Sequence, residues 1–195
     1  MGSAVECRRV DPEVTLIVLG PVPSFEELYD AHVEFVWRTL RRLGVPVAAL
    51  DDATQEVFMV VHRRLPEFQA RSSPKTWLFA IAHHVAQTER RSRRRHATEP
   101  LPEMLTSADS LSPHAASVLK QELQRLYLLL EQMGDERRAV FVMVEMEEMS
   151  APEISEALQI NLNTVYTRLR AARAQFNEAI GRQQASESRS APWTK

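Results

Sequence analysis

Helical periodicity is the feature that most limits what this chain can fold into. Apolar residues recur at three- and four-residue steps through most of residues 24–180, and nothing alternates with period two for long. The first spacing places apolar side chains along one face of an α-helix, whereas a half-buried strand needs alternation. The sequence therefore predicts an all-α fold.

Helix-start signals divide this pattern into separate helices. Ser-x-x-Glu occurs at residues 24–27 and again at 150–153, which is the spacing of a capping box. Serine followed by proline at residues 73–74 predicts another helix start, because proline is favoured at the first helical position. We expect the last helix to span about residues 162–180 and to end at Gly181.

A segment rich in proline and serine separates two groups of helices. Residues 97–116 contain three prolines and three serines and show no helical period, which is typical of a linker. We therefore predict two small helical domains, residues 24–96 and residues 117–182, joined by this flexible linker. The remaining residues, 1–23 and 183–195, are predicted to be terminal tails.

Composition narrows the class of protein. The 195-residue chain contains one cysteine, Cys7, which cannot form an internal disulfide and which fits a reducing compartment. No apolar run approaches the ~20 residues that a membrane span needs. Residues 15–19 are apolar but lack the flanks and cleavage site of a signal peptide. We expect a cytoplasmic protein without a membrane span.

The segment SAPEISEALQINLNTVYTRLRAARAQF, residues 150–176, predicts a short helix, a tight turn and a longer helix. One face of the longer helix is apolar and is expected to pack on the short helix: Leu162, Val165, Leu169, Ala172, Phe176 and Ile180. The opposite face is polar and basic: Tyr166, Arg170, Arg173 and Asn177. A helix held in this way suits the major groove of DNA. A helical hairpin with a solvated polar face is the plainer alternative, but the turn length, the capping box and the basic face favour a helix-turn-helix.

A second basic surface is predicted in the first domain. Residues 83–96 hold five arginines in fourteen positions, although the formal charge of the whole chain is only −2. On a helix over residues 74–95, one face carries His84, Thr88, Arg91 and Arg95, and beside it lie Gln87, Arg90 and Arg94. A charge run alone is usually a solvated face. Its continuity with the buried side of an amphipathic helix favours a phosphate-binding surface.

The helix predicted to start near Asp51 has the opposite charge. Asp51, Asp52, Gln55 and Glu56 lie together on it, with Met59 alongside. An acidic surface repels DNA and favours either water or a basic protein partner.

Four motifs in order resemble a known family. DDATQEVFMVVHRRLPEF, then SSPKTWLFAIAHHVAQTERRSRRR, then the proline-rich linker, then LLEQMGDERRAVFVMVEMEEMSAPEISEALQINLNTVYTRLRAAR are similar to bacterial sigma factors of the small extracytoplasmic-function (ECF) type. The resemblance covers roughly residues 25–180. It implies a helical bundle called sigma region 2 in residues 24–96, and a helix-turn-helix called sigma region 4 in residues 117–182.

The resemblance also implies partners and site residues. The partners would be core RNA polymerase, promoter DNA and an anti-sigma factor, and the linker would thread through the RNA exit path of the polymerase. The positions that match the polymerase-docking segment are Asp51, Asp52, Gln55, Glu56 and Phe58. Those assigned to recognition and melting of the minus-ten element are Ser73, Lys75, Trp77, His84, Gln87, Thr88, Arg91, Arg94 and Arg95. Those assigned to the minus-thirty-five element are Thr164, Tyr166, Thr167, Arg168, Arg170 and Arg173.

Three departures from the family pattern predict an unusual promoter preference. His84 and Thr88 stand where the family often has asparagine followed by aspartate or asparagine. Asn163 stands where it usually has glycine, and Tyr166 where a basic residue is common.

Two other classes of protein are weaker interpretations. A free-standing helix-turn-helix regulator explains residues 150–176 but gives the acidic helix no role. A dimeric regulator would also need a dimer helix, and the leucine stripe of residues 119–130 is better explained as core. An enzyme would need a site built from the carboxylates of residues 145–148 or from the histidines of residues 83–84. These groups show no nucleophile–base pair and no metal-ligand spacing. We expect no catalytic residue, no metal site and no cofactor.

Overall fold

The computed structural model describes residues 23–68, 72–95 and 113–190, and the regular elements in these ranges are all helical. The described ranges contain seven α-helices: α1 (Phe25–Arg42), α2 (Leu50–Arg64), α3 (Pro74–Arg95), α4 (Pro113–Glu131), α5 (Asp135–Glu145), α6 (Ala151–Leu158) and α7 (Leu162–Ser190). Short 3-10 turns at Val47–Ala49 and Leu65–Glu67 flank α2. The all-α prediction is confirmed.

Both predicted capping boxes are present. The Ser24 hydroxyl accepts from the Glu27 backbone N–H, and the Glu27 carboxylate accepts from the Ser24 N–H at 2.8 Å. Ser150 and Glu153 repeat this arrangement at the start of α6. Hydrogen bonds from Ser150 lower the pKa of Glu153 and keep it anionic at the positive end of the helix. These caps fix where α1 and α6 begin.

The first three helices pack against one another around a continuous core. Leu40 of α1, Val57 of α2 and Phe79 of α3 are fully buried in it. Ile81 and Val85 of α3 are also buried, while Trp77 is only half-buried and packs on Phe68, with ring centroids 4.7 Å apart.

The remaining helices form a second group, in which α7 contacts α4, α5 and α6. Val165, Leu169 and Ala172 of α7 are buried, as predicted from their spacing, and the ring of Phe176 lies 4.9 Å from that of Phe141. Leu162, predicted to belong to the same inner face, is 38% exposed. It is the first residue of the helix.

The predicted end of the last helix is wrong. Helix α7 continues through Gly181 to Ser190, so much of the segment predicted as a C-terminal tail is helical. A glycine inside a helix costs only about 1 kcal/mol relative to alanine. The residues that follow are largely good helix formers, so this cost does not stop the helix.

The region around the predicted linker is also revised. Helix α4 begins at Pro113, inside the segment predicted as linker, while residues 96–112 lie outside the described residues. On α4, Leu119 and Leu123 are exposed, whereas Leu130 is buried. The leucine stripe is therefore core only in its last part. Within the described residues, no helix is both long and apolar enough to cross a membrane.

Replacing Phe79 with alanine tests the first core. Phe79 is fully buried, so Phe79→Ala is expected to lower the free energy of unfolding by about 3–5 kcal/mol through lost burial and a new cavity. Urea unfolding monitored by circular dichroism measures the change. Leu128→Ala is the control, because Leu128 is 55% exposed and its loss should cost less than about 0.5 kcal/mol. Equal costs for the two variants would contradict this packing.

Candidate nucleic-acid and protein interfaces

The predicted basic face of α3 is exposed along its length. His84, Thr88, Arg91 and Arg95 all face solvent. The contacts recorded for them are local: the Thr88 hydroxyl donates to the His84 carbonyl at 3.1 Å, and Arg95 Nε donates to the Arg91 carbonyl at 3.4 Å. We call these four residues the open α3 face. It is a row of cationic and polar groups on a rigid element, which is the form that a backbone-tracking surface requires.

Arg90 and Arg94, which the sequence grouped beside that face, have protein partners. Arg90 Nη1 donates to the Leu43 carbonyl at 3.1 Å and lies 2.8 Å from Asp135. Arg94 is 3.6 Å from the other oxygen of Asp135. Burial lowers the pKa of Arg90, and the negative charge of Asp135 partly offsets this effect. The basic segment therefore has two parts: the open α3 face, and an edge on which Arg90 and Arg94 are paired with Asp135.

Gln87 and its neighbour His83 are half-buried. Gln87 Nε2 lies 3.2 Å from His83 Nε2. Burial lowers the pKa of His83, so the neutral ring is favoured. Of the predicted set, Gln87 is thus less open to solvent than His84 or Thr88.

Ser73, Lys75 and Trp77 lie at the start of α3. The Ser73 hydroxyl caps the helix by accepting from the Thr76 N–H at 3.1 Å. Lys75 is 2.8 Å from a carboxylate oxygen of Glu147, which follows α5 in the second group of helices. Each end of α3 therefore has one predicted DNA-contacting cation that is paired with a carboxylate. These cations are Lys75 at the start and Arg94 near the end.

The tight turn before α7 takes its shape from Gln159 and not from Asn163. The left-handed residue is Gln159, at φ 52°, and position 163 needs no such angle. The Asn161 side chain then caps α7 by accepting from the Asn163 N–H at 2.8 Å. Asparagine in place of the family's usual glycine is therefore compatible with the turn.

The outer face of α7 presents the predicted base-reading residues. Tyr166, Thr167 and Arg170 are exposed near the start of the helix, with Tyr166 at 54%. The Thr167 hydroxyl donates to the Asn163 carbonyl at 2.8 Å, and Thr164 is half-buried. Residues on the first turns of a recognition helix are those that reach base edges in the major groove.

Arg168 and Arg173 of α7 pair with α5. Arg168 lies 2.5 Å from Glu136, with its side chain 23% exposed, and Arg173 lies 2.7 Å from Glu145 with its side chain 55% exposed. The two ion pairs join α7 to α5 at both ends of α5. Periodicity placed Arg173 on the outer face of the helix, and the family resemblance assigned Arg168 to DNA, but neither gave a signal for these partners.

The acidic face of α2 borders an apolar groove. Asp51, Asp52, Gln55 and Glu56 are exposed, whereas Phe58 is 4% exposed and forms part of the groove floor. The groove lies between α1 and α2 and has a volume of about 850 Å³. Its other lining residues include Phe25, Tyr29, Val33, Trp37 and Met59.

Sequence reasoning missed the α1 side of this groove. Tyr29 is 42% exposed and its ring centre lies 4.7 Å from that of Phe58, while Trp37 Nε1 donates to Asp51 at 3.2 Å. The sequence did contain a signal for this side of the groove. Aromatic residues occur over more of the surface of α1 than a single buried face requires. The groove combines an exposed aromatic wall with an acidic rim, which suits a protein partner with apolar and basic side chains.

The comparisons with known proteins agree with this arrangement. Residues 28–96 match the family model for sigma-70 region 2, and residues 123–176 match that for sigma-70 region 4. The chain is 29% identical over 168 residues to RNA polymerase sigma factor YlaC of Bacillus subtilis, covering 84% of this chain and 96% of that protein. It is 27% identical over 172 residues to ECF RNA polymerase sigma factor SigE of Mycolicibacterium smegmatis, covering 87% of this chain and 66% of SigE.

A solved structure shows the same fold. The sigma factor RpoE of Bartonella quintana, in complex with the anti-sigma factor NepR, superimposes with a TM-score of 0.67 at 17% identity, over 80% of this chain and 96% of that one. Together the two family matches span more than half of this chain, so it belongs to the sigma-70 family. Within that family it is an ECF sigma factor, a non-enzymatic protein that directs promoter-specific transcription initiation.

The cap of α7 can be tested by substitution. Asn161→Ala removes the side-chain acceptor and is expected to lower the free energy of unfolding by about 0.5–2 kcal/mol. Asn161→Asp keeps an acceptor and should stay close to the parent protein. Chemical denaturation of the three proteins provides the measurement, and indistinguishable midpoints for the alanine and aspartate variants would show that this hydrogen bond contributes nothing.

Proposed function

We propose that the two helical groups divide promoter recognition between them. Helices α1–α3 hold core RNA polymerase and open the minus-ten element, and helices α4–α7 read the minus-thirty-five element. The observation that carries this proposal is the open α3 face, because the exposed residues His84, Thr88, Arg91 and Arg95 form a row on one helix. A free-standing regulator would have no use for this row in addition to the helix-turn-helix.

Opening the minus-ten element means drawing bases out of the stack, which costs a few kcal/mol and is offset by stacking and backbone contacts. Arg91 and Arg95 supply positive charge to the phosphates of the DNA backbone. On the same face, His84 and Thr88 offer polar groups to an unstacked base. Trp77, half-buried on Phe68, offers a ring for stacking near the start of α3. Ser73, Lys75, Gln87 and Arg94 complete the proposed minus-ten set.

For the minus-thirty-five element, α7 enters the major groove with its first turns. Tyr166, Thr167 and Arg170 face bases, and Thr164 lies beside them. Arg173 remains exposed enough to reach a phosphate while paired with Glu145. Arg168, more covered in its pair with Glu136, contributes mainly by holding α7 on α5.

The groove between α1 and α2 is the proposed docking site for the polymerase. Asp51 and Gln55 line its rim, Asp52 and Glu56 are exposed beside them on α2, and Phe58 supports the apolar floor. A helical coiled coil of the largest polymerase subunit is the proposed occupant. Because polymerase and promoter DNA are in the cytoplasm, we place the protein there. By likeness to RpoE, whose structure contains the anti-sigma factor NepR, we also propose an anti-sigma factor as a partner.

Co-elution with core RNA polymerase is the first test. The purified chain is expected to elute with bacterial core enzyme on gel filtration, and the mixture to start transcripts at discrete positions on genomic DNA. Aligning the start sites would yield both promoter elements. Failure to co-elute, combined with tight binding of duplex DNA by the chain alone, would favour a free-standing regulator instead.

Charge reversal on the open α3 face tests its role. Arg91→Glu with Arg95→Glu is expected to abolish promoter opening, because two cations near the strand become anions. Polymerase co-elution should be unchanged, since neither residue lines the α1–α2 groove. Opening is measured by permanganate reactivity of unpaired thymines. Lys120→Glu with Arg182→Glu makes the same charge change on α4 and α7, and equal loss of opening in this control would remove α3 from the mechanism.

Arg170→Ala tests base reading by α7. We expect a loss of about 1–3 kcal/mol in binding to the minus-thirty-five element and a relaxed preference at one position of it. Transcription from a promoter library randomised in that element measures both effects. Glu178→Ala, an exposed change further along the same helix, serves as the control. An unaltered preference in the Arg170 variant would show that this side chain does not read bases.

A further inference from the structure

The α1–α2 groove exposes apolar side chains within the part of the chain that the structure describes. On α1 it is lined by every fourth residue from Phe25 to Trp37, so at about 1.5 Å per residue it is about 18 Å long. Tyr29 is 42% exposed, and Met59 on the α2 side is 56% exposed. Large apolar side chains that are exposed together in this way mark an interaction surface.

The groove starts where the described chain starts. Phe25, the first residue of α1, lines one end, and its ring lies 5.2 Å from that of His62. Trp37 and Asp51 lie at the other end. Pro23, two residues before Phe25, is the first residue that the structure describes. The segment just ahead of Pro23 is therefore tethered at one end of the groove.

That segment contains a short apolar run. Residues 14–19, VTLIVL, are five apolar residues and one threonine without any charge, and they lie outside the described residues. Uncharged runs of this length that are rich in β-branched residues associate readily with other chains when they are left in water. A groove on the same molecule offers this run a place to be buried.

The run and the groove have matching lengths. Six residues in an extended conformation span about 20 Å, which is close to the length of the groove. Residues 20–23, GPVP, connect the run to α1, and glycine followed by proline is a turn signal. A turn at this position reverses the chain, so it allows residues 14–19 to lie back along α1.

The charges around the run and the groove are mixed. Residues 6–13 contain two arginines and three carboxylates, and the residues that line the groove include both Asp51 and Arg63. Electrostatic attraction therefore does not decide the contact. The match between the two partners is one of apolar surface and length.

The short connection makes a modest intrinsic affinity sufficient. A segment joined by only a few residues is held at an effective concentration in the millimolar range. With an intrinsic dissociation constant of about 0.1 mM, the groove would then be covered in roughly nine molecules of ten. A few apolar contacts of the run with the groove can supply such an affinity.

We propose that residues 14–19 bind in the α1–α2 groove of the free protein and compete there with RNA polymerase. The proposal rests on the function proposed above for this groove. It gives the segment ahead of α1 a regulatory role, because it sets how much polymerase is needed before this sigma factor is loaded. Polymerase binding displaces the segment.

Exposure of Trp37 tests the contact without polymerase. Trp77→Phe with Trp193→Phe leaves Trp37 as the one tryptophan of the chain. In that background, Leu16→Ser with Leu19→Ser removes apolar surface from the run. Quenching of Trp37 fluorescence by acrylamide is expected to rise roughly threefold or more, because the open fraction grows from about a tenth to most molecules.

Val5→Ser with Val10→Ser is the matched control, since it makes the same kind of change ahead of the run. It should leave the quenching unchanged, and circular dichroism checks that every variant keeps its helix content. Protection within one chain does not depend on protein concentration. Loss of protection on dilution would assign the groove to a second copy, and equal quenching in the parent and the Leu16 and Leu19 variant would show that the run does not bind there. Either result overturns the proposal.

Affinity for immobilised core RNA polymerase tests the competition, in chains that keep all three tryptophans. Leu16→Ser with Leu19→Ser is expected to tighten binding about tenfold, because the apparent dissociation constant of the parent is raised by its small open fraction. The control pair should bind like the parent. Stronger quenching of Trp37 without tighter polymerase binding would overturn the competition. If neither the parent nor the variants bound core enzyme, the function proposed for the groove would be refuted, whereas the quenching would still decide whether residues 14–19 lie in it.

Discussion

Ion pairing by helix α5 determines which arginines of this chain are available to other molecules. Along and beside α5, carboxylates hold Arg90 on one side and Arg168 and Arg173 on the other. The chain has 24 lysine and arginine residues and 26 aspartate and glutamate residues. Because carboxylates are so numerous, a cation is available to another molecule only where no carboxylate lies beside it. The open α3 face and the exposed side of α7 that carries Arg170 are two such places, and both lie on rigid helices.

The groove between α1 and α2, which we propose as the docking site for the polymerase, is built on a different principle. It depends on aromatic side chains from α1 and α2 that fill each other's gaps, as the contact between Tyr29 and Phe58 shows. The charged residues that line it include Arg63 and Asp51, and Asp51 also receives a hydrogen bond from Trp37. In the function proposed above, the apolar floor would supply affinity and the charged rim orientation, so that one small domain presents the polymerase and the DNA with separate surfaces.

Patterns within a few consecutive residues predicted much of this fold. Contacts between residues far apart in the sequence could not be predicted in this way. The capping boxes at residues 24–27 and 150–153 need only four consecutive residues, and both were predicted correctly. The predicted end of α7 was wrong because the small energetic cost of Gly181 was considered alone, without the helix-forming residues that follow it. The pairing of Arg90 with Asp135 could not be predicted, since periodicity shows which residues share a face but not which charge lies opposite.

The turn at Gly44 links the two domains through shared volume. The space that a β-carbon would need there is already filled by Arg138, a residue 94 positions further along the chain. Position 44 is therefore constrained twice: its φ of +90° favours glycine, and a β-carbon would also need a shorter residue than arginine at position 138. In a set of related sequences, glycine would be expected at position 44 wherever arginine occupies position 138.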